Sequence, residues 1–220
     1  MNAHLFYDQD YFEGRTRQSP PHTRALIYPF AVRTARFLCR QAKPTRVVDV
    51  GCAKGYLLAA FHAEGVIPVI GLDISLYALS HSDEAARGRV LVADLEKGLP
   101  LKPASCDLLT ALDLFEHLRD PMHVLREVRR VLSEDGKAYV KICHSRHPNA
   151  TRDPSHINVQ PLSYWTRTFR EAGFRWKRVY EADVTGGEGR LAWVKAAVRR
   201  LREWAVIGTP ADYKFFLWRA

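Results

Sequence analysis

The segment from Val47 to Phe61, VVDVGCAKGYLLAAF, constrains this chain more than any other. A β-branched run (Val47, Val48, Val50) ends at Gly51, and a helical pattern opens at Gly55. Asp49 stands inside the strand end. A strand, a tight glycine turn and a helix start, in that order, make the local geometry of a nucleotide-type cofactor site. The helix start offers free N–H groups and the positive end of its dipole.

The remaining pattern is that of an α/β chain. From Thr45 onward strand-like runs at 46–50, 66–73, 89–93, 106–112 and 136–143 alternate with helical runs at 55–64, 75–86 and 121–132. Asp120-Pro121 reads as an N-cap followed by proline at the first helical position, and Gly65 as a helix stop. An aromatic opening (Phe6, Tyr7, Tyr11, Phe12), Ser19-Pro20-Pro21 and a helix over about 23–41 precede this core. A polar loop from His144 to Pro161, a helix at 162–172, a strand at 175–182, an insertion at 183–212 and a last strand at 213–219 follow it. Alternating βα units imply a mainly parallel sheet with helices on both faces.

Composition narrows the class. Of the 220 residues, 47% are hydrophobic and 26% charged, which is ordinary for a globular chain. No apolar run reaches the roughly 18 residues of a membrane span. The opening MNAHLFYDQDYFEG lacks the basic-then-apolar order of a signal peptide. Cys39, Cys52, Cys106 and Cys143 form no CxxC pair, which argues against a zinc ribbon or disulfide framework and for a reducing, cytoplasmic location. The net charge of +9 is spread along the chain without a long basic block, so it reads as a solvated surface, and a nucleic-acid partner is not expected.

Ligands of open parallel sheets bind beyond the carboxyl ends of the strands. Here five successive strand ends carry ionisable groups: Asp49, Asp73, Asp94, Asp113 and His144. Any one aspartate is an ordinary loop or cap residue, but the series is specific. A dinucleotide fingerprint is absent, since Ala53 and Tyr56 occupy its second and third glycine positions, and Lys54-Gly55-Tyr56 is no phosphate loop. An adenosine-containing ligand without pyrophosphate remains. Asp73, 22 residues after Gly51, is placed to accept from the ribose hydroxyls, and Asp94 and the Leu95 N–H from and to the adenine edge.

VVDVGCAKG, GLDIS, VADLEKGLPL and CDLLTALDLFEHL resemble the successive motifs of class I S-adenosylmethionine-dependent methyltransferases, nearest to the small-molecule (type 11) branch, across residues 45–145. The resemblance implies S-adenosyl-L-methionine as cofactor. It also implies a Rossmann-like sheet of seven strands, mostly parallel, with the last strand inserted antiparallel. One domain results, with a helical lid (1–44), a cofactor-binding core (45–145) and an acceptor-side half (146–220). By the same resemblance Asp49, Gly51 and Gly55 shape the pocket for the methionine portion, lined by backbone from Cys52 to Tyr56. Asp73 takes the ribose, Ile74 packs on the adenine, Asp94 and Leu95 hold its edge, and Leu112 and Asp113 lie beside the sulfonium. DQDYFEG is similar to a segment that folds over the cofactor, which makes Tyr7, Tyr11 and Phe12 lid residues.

A hydroxyl acceptor requires a base. The candidate is His156 in DPSHIN, which either borders the acceptor pocket or orders its loop, and Asp113 is taken with it as a catalytic residue. Asp113, Glu116 and His117 form a DxxEH spacing, with His144 and His156 as further candidates near them. Some methyltransferases hold a divalent metal with a similar set, but spacing alone is weak ligand evidence, and a metal-free site is the expectation. His4, His22 and His147 are read as surface residues. The basic amphipathic stretch in the insertion (190–207), with Trp193 and Trp204, is read first as a cover on the acceptor site; contact with an anionic membrane surface or a homodimer contact stay open beside that. The combined reading is methyl transfer to O or N of a small or medium organic acceptor, such as a sugar, a glycan end or a secondary metabolite. The rivals are an RNA or protein methyltransferase, and a non-catalytic protein that keeps the cofactor fold.

Overall fold

In the computed structural model, residues 6–16, 20–145, 150, 153–180, 183–184 and 212–220 are described. The strands are β1 (Val47–Val50), β2 (Val69–Asp73), β3 (Val90–Val92), β4 (Cys106–Leu112), β5 (Leu132–Ile142), β6 (Phe174–Val179) and β7 (Tyr213–Arg219). The helices are α1 (Gln9–Phe12), α2 (Arg24–Ala42), α3 (Tyr56–Ala63), α4 (Leu76–Ser80), α5 (Pro121–Val131) and α6 (Leu162–Glu171). The strands form one seven-stranded sheet in the order β3-β2-β1-β4-β5-β7-β6. β1 to β5 pair in parallel, and β7 lies antiparallel between β5 and β6. The expected fold class, including the inserted antiparallel strand, is the one observed.

Strand alternation sorts the core into two layers. Val47, Leu108, Tyr139 and Phe216 face a cluster completed by Phe37 and Leu38 of α2 and Leu58 and Phe61 of α3. Val48, Leu109, Val140 and Phe215 face the opposite cluster, completed by Val124, Leu125 and Val128 of α5 and Trp165 and Phe169 of α6. β1 is buried along its whole length, as a central parallel strand must be. Asp120 Oδ1 accepts from His123 N at 3.0 Å, with Pro121 at the start of α5, as the sequence indicated.

Four elements differ from the sequence reading, among them β5, which opens at Leu132 instead of 136 and pairs there with Cys106. The helix expected over 75–86 stops at Ser80 and resumes as a 3₁₀ turn at Glu84–Ala86. Asp83 makes the break: its N–H donates to Lys54 O (2.8 Å) and its Oδ1 accepts from Ala85 N (3.1 Å). β2 starts at Val69, not 66, because Val66 N still serves Phe61 O at the end of α3. β6 ends at Val179, where Tyr180 and Asp183 close a turn on each other. Most of the insertion, including 190–207 with Trp193 and Trp204, lies outside the described residues. Among the described residues no helix is long and apolar enough to cross a membrane.

Two glycines test the packing around the first turn. Gly55 has φ +71°, and a Cβ there would sit 2.6 Å from the Ala86 Cβ; Gly65 has φ +81° with nothing within 4 Å. Gly65→Ala then costs only the left-handed backbone, about 1–2 kcal/mol. Gly55→Ala adds a rigid overlap, for a total of about 2–5 kcal/mol. Urea unfolding of both variants reads the difference; equal losses would show that Ala86 yields freely.

Candidate active site

Beyond the carboxyl ends of β1, β2 and β4 lies a cavity of about 520 Å³. Tyr11, Asp49, Gly51, Cys52, Tyr56, Asp73, Ile74, Asp94, Leu95, Leu112, Asp113 and His156, all singled out from sequence, line it. Gly55 does not; it supports the turn from behind, against Ala86.

The turn after β1 is bound to the end of β2. Gly51 N and Cys52 N both donate to Leu72 O, at 2.8 and 3.1 Å. Asp73 Oδ2 accepts from Ala53 N and Oδ1 from Ser75 N, both at 2.8 Å. Ala53 holds φ +48°, a left-handed conformation that the Asp73 bond helps to fix. Gly71 lets the turn cross, since a Cβ there would come within 2.6 Å of Cys52 Sγ and a Leu58 methyl.

Asp49 is 3% exposed, in register with Gly71 on β2 and Thr110 on β4. Thr110 Oγ1 donates to its Oδ1 at 2.6 Å. Burial pushes this carboxyl up to about 7, with Thr110 pulling the other way. Asp73 is raised as well, again by burial, against the pull of its backbone donors. Asp94 caps the 3₁₀ turn after β3 through Glu96 N (3.2 Å) and pairs with Lys97 at 3.2 Å.

The N-terminal segment forms one side of the cavity. Tyr7, Tyr11 and Phe12 line the wall. Ser75 Oγ donates to Tyr7 O at 2.6 Å, and Glu13 accepts from Lys54 Nζ (2.8 Å) and Tyr77 Oη (2.9 Å). His22 is not a free surface residue. It lines the cavity, its N–H donates to Phe12 O (2.8 Å), and its ring packs on Phe12 at 5.0 Å. Burial lowers its pKa. His4 and His147 lie outside the described residues.

At the end of β4 the structure rearranges the expected set. Asp113 has φ +51°, and both its oxygens accept from Lys141 Nζ, at 2.7 and 2.6 Å. Lys141 also pairs with Asp212 at 3.0 Å. Burial works against its charge, but the two carboxylates hold it above the ordinary lysine value. Asp113 is therefore a paired carboxylate, not a free base. His144, expected at the fifth strand end, is turned away: it is buried against Tyr213 at 4.4 Å and does not line the cavity. Lys141 and Cys143 stand there instead. A lysine inside the apolar strand segment AYVKIC was the available signal for Lys141.

Glu116, 0% exposed, accepts from Cys143 N at 3.0 Å through Oε1. Burial first, then the Asp113 charge, pushes it up to about 8. Its backbone O accepts from Asn158 N (2.9 Å), which fastens the 153–158 loop over the β4 end. That loop brings His156 to 4.7 Å from His117, ring to ring. Burial and then His156 depress His117 to about 4.

The Asp49 carboxyl sets a pH dependence of stability. Its folded value of about 7 exceeds the unbound 3.8, so between these values the folded chain holds a proton that the unfolded chain has lost. Stability from this group is complete below pH 4 and lost as pH rises through 7, by about 3–4 kcal/mol. Measured by denaturant unfolding, the difference between wild type and Asp49→Asn falls by that amount over pH 4–7. A difference that stays constant would show Asp49 ionised in the folded chain.

A methyltransferase domain family matches residues 48–140, the part of the chain that contains the β1 turn, Asp73, Asp94 and the β4 end. An uncharacterized methyltransferase of Bacillus subtilis, YcgJ, is 29% identical over 183 residues, covering 76% of this chain and 67% of that protein. A ubiquinone biosynthesis O-methyltransferase of Histophilus somni is 30% identical over 100 residues, 41% of this chain and 42% of its own length. The chain thus spans less than half of that relative. Among solved structures, a SAM-dependent methyltransferase from Archaeoglobus fulgidus superposes with a TM-score of 0.67 at 19% identity, over 94% of this chain and 97% of that one, which shows the shared fold. With the strand-end carboxylates and the glycine turn in place, residues 48–140 form a methyltransferase domain, and S-adenosylmethionine is its cofactor.

Proposed function

We propose that the chain transfers the methyl group of S-adenosylmethionine to a hydroxyl, or less favourably an amine, of a small or medium organic acceptor. One observation carries this reading: a single cavity joins the carboxylates at the ends of β1, β2 and β3 to a Glu116–His117–His156 cluster at the end of β4. The residues fit the cofactor. No side chain caps the start of α3, so its first N–H groups are left for a ligand carboxylate. Asp73 accepts from the backbone N–H groups of Ala53, Ser75 and Ile74, and the remaining lone-pair position of its carboxylate is assigned to the ribose hydroxyls. Asp49, Gly51 and the backbone of Cys52 to Tyr56 are assigned the methionine portion, Ile74, Asp94 and Leu95 the adenine, and Leu112 and Asp113 the surroundings of the sulfonium.

When bound, the cofactor supplies an electrophilic methyl group; the protein must align the acceptor and exclude water. Tyr7, Tyr11 and Phe12 cover the cavity from one side, and the 153–158 loop from another. His156 is assigned to the acceptor hydroxyl. The O-methyltransferase relatives support oxygen as the target, and the ring-rich wall supports a small acceptor over a polymer.

The deciding experiment is a screen of hydroxyl- and amine-bearing compounds with labelled S-adenosylmethionine. Incorporation into a small hydroxyl compound is expected; incorporation into a cell extract that nuclease or protease treatment abolishes would move the acceptor to RNA or protein. Asp73→Ala removes the ribose acceptor and should weaken S-adenosylhomocysteine binding by at least about a hundredfold, roughly 3 kcal/mol. Calorimetry at unchanged far-ultraviolet dichroism reads it, and wild-type affinity would refute the ribose assignment. His156→Ala should lower kcat at least about a hundredfold while sparing S-adenosylhomocysteine affinity. Full turnover would return His156 to a loop-ordering role.

A further inference from the structure

The cluster at the β4 end has more acceptors than donors. Glu116 Oε2 is buried and has no partner among the described residues, while its other oxygen is taken by Cys143 N. Buried polar atoms of this kind cost free energy unless something satisfies them. His117 Nδ1 lies 3.1 Å from Ser155 O and 2.9 Å from Ser155 Oγ, and that hydroxyl spends its hydrogen on Asp153 Oδ1. The ring hydrogen therefore sits on Nδ1, and Nε2 carries a lone pair. A carboxylate, a hydroxyl and a carbonyl behind the imidazole fix its tautomer and orientation, as the partners of metal-bound histidines do. His156 adds a second imidazole whose Nδ1 is buried without a partner among the described residues. One donor atom from each of the three residues lies within 4.8 Å of the others.

We propose that Glu116, His117 and His156 bind one divalent transition-metal ion, and that its open positions take two neighbouring hydroxyls of the acceptor. The second half rests on the methyl-transfer reading; the first does not. Two imidazoles and a carboxylate are a donor set for zinc, manganese, cobalt or iron(II), not for magnesium or calcium, which prefer oxygen throughout. Three protein ligands leave coordination positions facing the cavity that all three residues line. A pair of adjacent hydroxyls, on an aromatic ring or a sugar, fills two of them and loses a proton more readily there. His156 then acts on the acceptor through the ion instead of taking its proton directly. The DxxEH spacing suggested Asp113 as a ligand. In the structure His156, not Asp113, completes the group whose donor atoms lie within 4.8 Å of one another, while Asp113 is ion-paired with Lys141.

The test uses the full chain, stripped with chelator and desalted. Titration with Zn²⁺, Mn²⁺ and Co²⁺, followed by equilibrium dialysis and elemental analysis, should give one ion per chain. Glu116→Gln and His156→Ala should each weaken binding at least about a hundredfold, and Ser155→Ala about tenfold through the lost second contact. S-adenosylhomocysteine affinity, unchanged in all three, certifies the fold independently of methyl transfer. The visible bands of the Co²⁺ form should shift on adding a vicinal dihydroxy compound and not its monohydroxy analogue. No bound ion, or binding undiminished in both Glu116→Gln and His156→Ala, overturns the site. A bound ion whose spectrum ignores dihydroxy compounds overturns the acceptor class alone. Metal binding without methyl transfer to any acceptor would leave the site standing and overturn the function above.

Discussion

The Asp73 carboxylate is the joint on which the cavity depends. One oxygen holds Ala53 N in the turn after β1, and the other holds Ser75 N at the start of α4. Ser75 in turn accepts from Ala78 N and donates to Tyr7 O. One buried side chain thus fixes two loops and, through Ser75, the N-terminal segment. Gly71, two residues earlier on the same strand, leaves the room in which Cys52 and Leu58 lie. Strand β2 is therefore both a sheet strand and the template for the cofactor turn. The cost is desolvation of a carboxylate, which backbone N–H donors offset in part.

Charge is distributed unevenly between surface and cavity. The chain carries +9, yet among the described residues the cavity wall gathers Asp49, Asp73, Asp94, Glu96, Asp113, Glu116, Asp153 and Asp212 against one lysine, Lys141. Such a wall favours a cationic ligand over an anionic one. The surplus is smaller than the residue count suggests. Burial favours the neutral forms of Asp49 and Glu116, and Lys141 pairs with both Asp113 and Asp212. Asp73, Asp94, Glu96 and Asp153 are left to set the sign. A sulfonium cofactor with an adenosyl group suits that wall, whereas a pyrophosphate would not.

The cofactor half was legible because its chemistry is local. A strand end, a glycine turn and the next strand end follow one another in the chain, and parallel pairing of β1 with β2 and β4 brings their ends together by topology alone. Glycine at 51 and aspartate at 73 therefore carried their places in their spacing. The acceptor half was not legible in that way. Lys141 reaches Asp113 only because β5 lies beside β4 in a particular register, with Leu112 opposite Lys141. His144, two residues past β5, packs on Tyr213, which comes from the far end of the chain. His22 reaches the cavity through the N-terminal segment that folds back over it. None of these partners is within reach of a spacing rule.

The exchange of Asp113 for His156 shows the same limit at one residue. The DxxEH spacing pointed to residues 113, 116 and 117 as one set, whereas the donor atoms that come together are those of Glu116, His117 and His156. Which of them faces the cavity with a free donor is decided by neighbours on other elements. Lys141, a strand away, neutralises Asp113, while Asn158 N, bound to Glu116 O, draws in the loop that carries His156. The backbone bond and the histidine belong to the same short segment, so Glu116 contributes to the cluster twice, once by its side chain and once by fixing its neighbour. A carboxylate buried at 0% exposure, with one oxygen unpartnered among the described residues, is stable only beside groups held that firmly. Positional rigidity around Glu116, more than the EH pair itself, is what makes this end of the cavity a site.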